Sequence, residues 1–372
     1  MTECYDLIVV GGGPGGTSAA ITAARDGWRV ALLERGRFPR HKVCGEFVSA
    51  ESLELLSWLL GDANQNLLRS SLPMSETRVL LDGHCLHVPV DPPAASIARY
   101  DLDLALWQAT ERAGVTAVQE TPVLQIDTGQ CFRVATSGGE YQARAVINAS
   151  GRWSNLSHRQ NETNGSRWLG MKTHYRGEMA PGVELYFFEG GYCGVQPVMA
   201  PDGSTLLNVC ALFRLGVADN LEDVLASHPL LRTRSRSWTP AFPALSTFPV
   251  IFREPSPVSG QVCNVGDAAG FVDPFVGDGI SLAMRGGNLA AHHLSSFLRG
   301  TSSLEQSLEK YADGYRRALR PVYRVSAMFR RFLAAPRILR AAALSACERS
   351  PWLARYLVEA TRSRPLELQH EG

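Results

Sequence analysis

The 372-residue sequence has no excess of either charge: 37 lysines and arginines stand against 36 aspartates and glutamates. A formal net charge of +1 supplies no global pull toward nucleic acid or membrane, so any electrostatic function is local. No apolar run approaches the ~18 residues of a bilayer-spanning helix. The eight cysteines are scattered, with no C-x-x-C pair and no Cys/His ligand spacing. That excludes a disulfide framework and a zinc site, and it fits a reducing, cytoplasmic setting. An apolar strand begins almost at the first residue, so no signal peptide is expected. Nothing repeats and nothing is low-complexity. No acid–base pair or metal site stands out, which suits chemistry delegated to a cofactor. What remains is 45% hydrophobic and 20% charged, an ordinary globular composition long enough for ~2 domains.

The most informative segment is Tyr5-Asp-Leu-Ile-Val-Val-Gly-Gly-Gly-Pro-Gly-Gly-Thr17. An apolar strand, Leu7 to Val10, enters a G-x-G-x-x-G turn at Gly11, Gly13 and Gly16, and a small-residue helix follows to Arg25. Gly11 permits the tight turn, and Gly13 lets the backbone approach a pyrophosphate. Gly16 allows close helix–strand packing, while Pro14 and Gly15 open a helix whose free N–H groups and dipole favour phosphate. A second apolar run ends on Glu34, ~20 residues after the turn, where a carboxylate accepts hydrogen bonds from ribose hydroxyls. The combination predicts a bound adenine dinucleotide. Arg35, beside that acid, fits either a 2′-phosphate or a place next to the adenine ring.

The order of elements predicts an α/β fold with an α+β insert. A βαβ unit opens the chain, and a basic loop, Arg35 to Glu46, leads to a helix from about Ser49 to Leu60. Residues Arg78 to Pro89 alternate as strands. Asp101 to Ala113 is amphipathic, with Leu102, Leu106, Ala109 and Ala113 on one face. Short strands follow at Val123–Asp127, Cys131–Thr136 and Tyr141–Asn148, then a strand-rich block from Leu169 to Phe213. A late strand, Val262 to Val265, meets Gly266-Asp-Ala-Ala-Gly270 and a helix from Gly279 to Phe297. The nucleotide-binding unit is therefore expected to be discontinuous, at residues 1–75, 99–160 and 255–300. A β-rich substrate unit occupies 76–98 and 161–254, and a helical region fills 301–372.

The segment Gly266-Asp-Ala-Ala-Gly-Phe-Val-Asp-Pro-Phe-Val-Gly-Asp-Gly-Ile280 resembles the G-D-A-…-P-…-G-x-G-I motif of FAD enzymes with the para-hydroxybenzoate hydroxylase fold. Within that superfamily, Phe38-Pro-Arg-His-Lys-Val-Cys-Gly-Glu46 is most similar to the geranylgeranyl-reductase-like dehydrogenases. Asn148-Ala-Ser-Gly-Arg-Trp-Ser154 resembles the central D-G motif, with Ser150 where an aspartate is usual. Arg99-Tyr-Asp-Leu-Asp103 resembles the R-x-x-L-D helix start. The resemblance implies a Rossmann-like FAD-binding domain with an interleaved antiparallel sheet. It implies FAD as cofactor, with Asp267 on a ribitol hydroxyl and the helix start at Gly279-Ile280 near the flavin N1/C2=O edge. That position suits the physics, because a helix N-terminus stabilises the negative charge of reduced flavin. Arg99 is implied near the diphosphate, and Val123 is a further expected cofactor contact. NAD(P)H is expected as a transient electron donor.

Cys44 is implied close to the isoalloxazine, where it is a candidate catalytic thiol flanked by Arg40, His41 and Lys42, or simply a small packing residue. Tyr186, Phe188 and Tyr192, around the Gly190-Gly191 turn, are expected to line an apolar pocket for a hydrophobic substrate. Between Asp313 and Glu348 there is no acid, yet eight arginines from Arg316 to Arg340 alternate with apolar residues. Such a stretch suits a membrane surface or an anionic substrate handle or carrier; the alternative is a solvated face packed on the core. The leading expectation is an FAD-dependent oxidoreductase that reduces a C=C bond. A monooxygenase of the same fold is the runner-up, and a non-catalytic flavin sensor or electron conduit is the reading from another class. A halogenase fits less well, since the W-x-W-x-I-P signature is absent.

Overall fold

In a computed structural model, the structure describes residues 4–152, 156 and 167–349. The opening strand, Cys4–Val10, is apolar without alternation, and Leu7, Ile8 and Val9 are fully buried. A run buried on both faces belongs in the middle of a parallel sheet. There it pairs in parallel with Val30–Leu33 on one side and Gly139–Asn148 on the other. Thr116–Val118 and Val262–Asn264 extend the sheet outward in parallel. Val258–Ser259, Phe132–Thr136 and Val123–Asp127 complete eight strands in antiparallel sense. The strand order reverses at Cys4–Val10, so the crevice beyond its carboxyl end is where an open α/β sheet binds ligands.

The chain leaves this sheet twice to build a second one of nine strands. The first excursion contributes Phe47–Val48, Leu72–Leu81 and His84–Ser96. The second contributes Trp168–Arg176, Val183–Phe188, Gly191–Met199, Thr205–Arg214, Thr239–Pro240 and Leu245–Val250. Pairing is antiparallel except where Val183–Phe188 meets Leu72–Leu81, the seam between the two excursions. The Leu72–Leu81 hairpin is longer than its alternating core predicts, because it pairs through Leu72–Ser96 across a register shift that no local pattern announces. Two short helices, Leu221–Ala226 and Pro229–Arg234, also interrupt the β-rich block. The fold is thus α/β, with a Rossmann-like layer and an interleaved, mainly antiparallel sheet.

The first helix, Pro14–Arg25, packs at backbone distance on the long helix Gly279–Leu298. A Cβ on Gly287 would lie 2.1 Å from the Gly15 carbonyl oxygen. Ser18 adds a buried hydrogen bond from its hydroxyl to the Met284 carbonyl at 2.7 Å. Two segments 266 residues apart in the chain are therefore held as one support for the glycine turn.

The C-terminal helices start from a capping box in which Ser303 and Gln306 satisfy each other's backbone N–H. Helix Leu304–Ala318 is anchored to the first sheet by the Tyr311 hydroxyl, which donates to the Asn264 carbonyl at 2.7 Å. Helices Arg320–Leu333 and Arg337–Arg349 then turn back toward the second sheet. Leu344 is buried there with Leu81 and Phe187. Among the described residues, no helix is long and apolar enough to cross a membrane, and all eight cysteines are free thiols.

Candidate active site

A cavity of about 1180 Å³ runs between the two sheets. Typical small-molecule pockets span ~300–1,000 Å³, so this one has room for a dinucleotide and a second ligand. At one end lies the glycine turn. Gly11 has φ +105°, and a Cβ there would sit 2.4 Å from the Ala149 carbonyl oxygen. Gly13 is different: the position of its missing Cβ has nothing within 4 Å, and it faces the cavity. Gly13 is also the N-cap of the first helix and brings no side-chain cap, with Pro14 next. The helix N-terminus is thus left for an anion. Gly15 lines the cavity, whereas Gly16 lies beneath it against the Gly11 carbonyl.

Glu34 is buried at the end of Val30–Leu33. Its Oε2 accepts from the Gly12 N–H at 2.7 Å, and its Oε1 from the Gly36 N–H at 2.7 Å and from Arg40 at 2.9 Å. Burial pushes this carboxyl up, but Arg40 and the two backbone donors outweigh it and hold it below the ordinary range. The group is therefore an anion with lone pairs at the cavity wall, as ribose recognition requires. Arg35 is exposed at the rim.

The other motif arrives from the far end of the chain. Asp267 is half-exposed, 3.3 Å from the Nε of Arg152. The Arg152 guanidinium lies 4.0 Å over the Phe271 ring, and its buried Nη1 has no hydrogen-bond partner among the described residues. Gly279 and Ile280 form the first turn of their helix and line the cavity. Asp278, at the N-cap, does not cap that helix; its Oδ1 accepts from the Ser49 hydroxyl at 2.7 Å. Arg99 lines the cavity between the two motifs, but its Nε and Nη2 are both held by Asp103 at 2.7 Å. Val123 lies at the same wall. In the central motif, Ser150 donates to the Asn148 carboxamide, and Trp153 and Ser154 lie outside the described residues.

These features fit an adenine dinucleotide. The open cradle at Gly13, the two helix starts without side-chain caps and the Arg152 Nη1, unpartnered among the described residues, leave free space and donors that can meet phosphate or polar ring atoms.

The Cys44-Gly45-Glu46 run forms the cavity wall between the sheets. Glu46 has φ +60°, unusual for a residue with a side chain. The second sheet pins the run: Asn208 donates to the carbonyls of Cys44 (3.2 Å) and Gly45 (2.8 Å), and Gln196 to that of Glu46 (3.2 Å). The Glu46 side chain is fully buried and bonds the Lys172 ammonium, His174 Nε2 at 2.8 Å and the Arg99 N–H at 2.9 Å. Burial raises its pKa, but Lys172 first and then His174 bring it down to about 2. His41 stacks on Phe242 at 4.1 Å, with its own pKa lowered by burial and then by Lys172 and His174. Lys42 is lowered to about 8, chiefly by burial and then by Arg40 and Arg99. Cys44 faces the cavity, and its sulfur accepts from the Glu46 N–H at 3.4 Å.

Lys172, His174, Gln196 and Asn208 escaped the sequence reading. The one available signal was polar residues at alternate positions of apolar strands, as in Met171-Lys-Thr-His174. Such a pattern normally marks a solvated face.

The apolar wing carries one correction. Tyr186 and Phe188 do not line the cavity. In the hairpin Phe187 pairs with Tyr192 and Tyr186 with Cys193, so Leu185, Phe187 and Tyr192 share the cavity face. Tyr186 and Phe188 pack on the opposite face, where the Tyr186 hydroxyl bonds Glu184 at 3.1 Å. The side-chain period of two allows either phase, and composition alone did not choose it. Tyr192 reaches the cavity, but its hydroxyl donates to buried Asp273 at 2.8 Å. Met328, Phe329, Phe332, Leu333 and Leu344 close the wing from the C-terminal helices.

The acid-free arginine stretch finds acids elsewhere. Arg340 makes a bidentate pair with Asp82 at 2.8 and 3.0 Å, and Arg330 lies 3.8 Å from Asp273. Arg320 pairs with Glu254 at 3.4 Å.

Comparison with known proteins agrees with this geometry. The profile of the pyridine nucleotide-disulphide oxidoreductase family matches residues 5–196. A menaquinone reductase of Mycobacterium tuberculosis is 28% identical, across 90% of this chain and 86% of its own. A digeranylgeranylglycerophospholipid reductase of Methanocella arvoryzae is 26% identical, across 86% of this chain and 84% of its own. Among solved structures, the myxobacterial chondrochloren halogenase superposes with a TM-score of 0.74 at 24% identity, over 85% of this chain and 80% of the halogenase. That last likeness bears on the fold alone.

Proposed function

The chain belongs to the pyridine nucleotide-disulphide oxidoreductase family and is an FAD-dependent oxidoreductase, and on that premise we propose that it reduces a C=C bond in a hydrophobic, chain-like substrate. One observation carries the reading: the cavity is continuous from the glycine turn to a wing walled by Leu185, Phe187, Phe275, Phe332 and Leu344. An apolar chain is held there by burial at ~25 cal/mol per Å², without charged contacts. The reductases of this fold named above act on lipids by their names, and their similarity supports the same substrate class here.

The residues divide the work by position. The turn from Gly11 to Gly16 with Pro14 and Gly15, together with Glu34, holds the ADP half, and Arg35 flanks the adenine. Asp267, Arg152 and the helix start at Gly279-Ile280 hold the ribitol and the flavin edge, with Arg99 and Val123 alongside. FAD, when bound, supplies the hydride chemistry. The chain positions the substrate and excludes water, and NAD(P)H is the proposed donor.

Cys44 lies on the cavity wall in the run pinned at Glu46, with Cys210 of the second sheet as a second thiol beside it, and we assign Cys44 to the reacting region. Cys44→Ser is expected to retain FAD and to lower turnover severalfold, measured as product per reduced flavin. Unchanged turnover would make Cys44 a packing residue.

The reaction is tested by supplying NADPH or NADH and a geranylgeranyl-chain lipid, with and without oxygen, while substrate saturation and oxygen are followed together. Saturated product formed anaerobically supports the proposal. Oxygen consumption matched one-to-one by a hydroxylated product overturns it in favour of a monooxygenase.

A further inference from the structure

The two most exposed large apolar side chains among the described residues are Ile338, 83% exposed, and Leu339, 62% exposed. They open helix Arg337–Arg349 and are followed on its outer side by exposed Ala342, Ala343 and Ala346. On the preceding helix, Arg324, Met328 and Arg331 are exposed at spacings of four and three, which places them on one face. Met328 itself is 50% exposed. The inward arginines, Arg330 and Arg340, are committed to Asp273 and Asp82. Arg324 and Arg331 are not in any ion pair among the described residues. The outer surface is therefore an apolar centre with a cationic rim, drawn from a stretch that contains no acid.

Part of this surface borders the cavity. Met328, Ala343 and Ala346 are exposed and also line it. This surface and the apolar wing thus share residues.

We propose that the outer face of helices Arg320–Leu333 and Arg337–Arg349 docks on an anionic bilayer. Ile338 and Leu339 enter the acyl boundary, and Arg324 and Arg331 lie at the headgroups. Charge complementarity selects this occupant. Interfacial helices combine apolar burial with lysine or arginine toward anionic lipid, and Ile338, Leu339, Arg324 and Arg331 supply both, while the exposed acid beside this helix pair, Glu254, is paired with Arg320 at 3.4 Å. The inference concerns the outer face only and holds whether the reaction is a reduction or an oxygenation.

The test is co-sedimentation of the full chain with vesicles of phosphatidylglycerol and phosphatidylcholine, against vesicles of phosphatidylcholine alone, at low and high sodium chloride. Binding is expected to the anionic vesicles and to weaken as salt rises. Arg324→Gln and Arg331→Gln should each lower partitioning about fivefold, the ratio that ~1 kcal/mol per basic residue implies. Ile338→Asp with Leu339→Asp should lower it about tenfold or more at an unchanged melting temperature, since both positions are exposed. Should that pair fail to fold, the arginine variants decide alone. Equal, negligible binding to both vesicles overturns the proposal, as does anionic binding that none of these substitutions reduces. A dimer in gel filtration that the aspartate pair dissolves, without vesicle binding, overturns it in favour of contact between copies.

Discussion

Gly13→Val is expected to give a folded protein that no longer retains FAD, with affinity lowered by at least about a hundredfold. The structure separates the two consequences of the substitution. The backbone at Gly13 has φ −74°, which any residue adopts, and the place of the new Cβ has no protein atom within 4 Å. The apoprotein therefore meets no clash, and loss of a glycine N-cap costs it only ~1 kcal/mol. The side chain instead projects into the space where the backbone approaches a pyrophosphate. The measurement is flavin absorbance of the purified variant together with its melting curve and a fluorescence titration with FAD. Gly16→Ala is the control with the opposite outcome. Its Cβ would lie 1.8 Å from the Gly11 carbonyl oxygen, so helix and turn must separate and the protein is expected to misfold. If Gly13→Val binds FAD as tightly as the parent, the cradle is not the phosphate site.

Glu46→Gln is expected to cost ~3–5 kcal/mol, because it leaves the Lys172 ammonium buried beside a neutral amide. Lys172 and Glu46 are both wholly inaccessible to solvent, so water cannot compensate. The loss is expected as a fall in the denaturation midpoint at unchanged slope. The double variant Glu46→Gln with Lys172→Met should recover part of it, since removing the second charge removes the uncompensated one.

The pH dependence carries a definite sign. Glu46 in the folded state has a pKa of about 2, below its ordinary 4.5. Between these values the unfolded chain binds the proton and the folded one does not. The stabilisation is therefore complete above about pH 4.5 and is lost as pH falls toward 2, on the order of 3 kcal/mol in all. In Glu46→Gln this acid limb should flatten. A variant with the parent's midpoint and the parent's acid limb would show that the buried cluster does not hold the Cys44–Glu46 loop.

Much of the architecture was legible in short stretches of chain. Leu7 to Val10 is continuous and apolar, and it is a central parallel strand. Gly11 and Gly16 sit where a turn and a backbone contact exclude a side chain, and Gly13 sits at a cradle left open toward the cavity. Asp267 and Gly279 announced a second contribution to the same crevice from the far end of the chain. Each of these is announced by residue types at short spacings, even where the contact that requires them, as between Gly11 and Ala149, is made far along the chain.

Three features were decided only by tertiary structure. The phase of Val183–Phe188 depends on which face of the sheet meets the cavity. Its aromatics at successive positions satisfy both phases, and pairing with Gly191–Met199 makes the choice. The acid-free arginine stretch gave no hint of its partners, because Asp82 lies 258 residues from Arg340 in the chain. The Glu46 cluster is the clearest case. Lys172 is 126 residues from Glu46 and His174 is 128, and each alone has the character of a solvated strand residue. Burying them is tolerable only when all three converge, and convergence over such separations is a property of the packed sheets that no local pattern encodes.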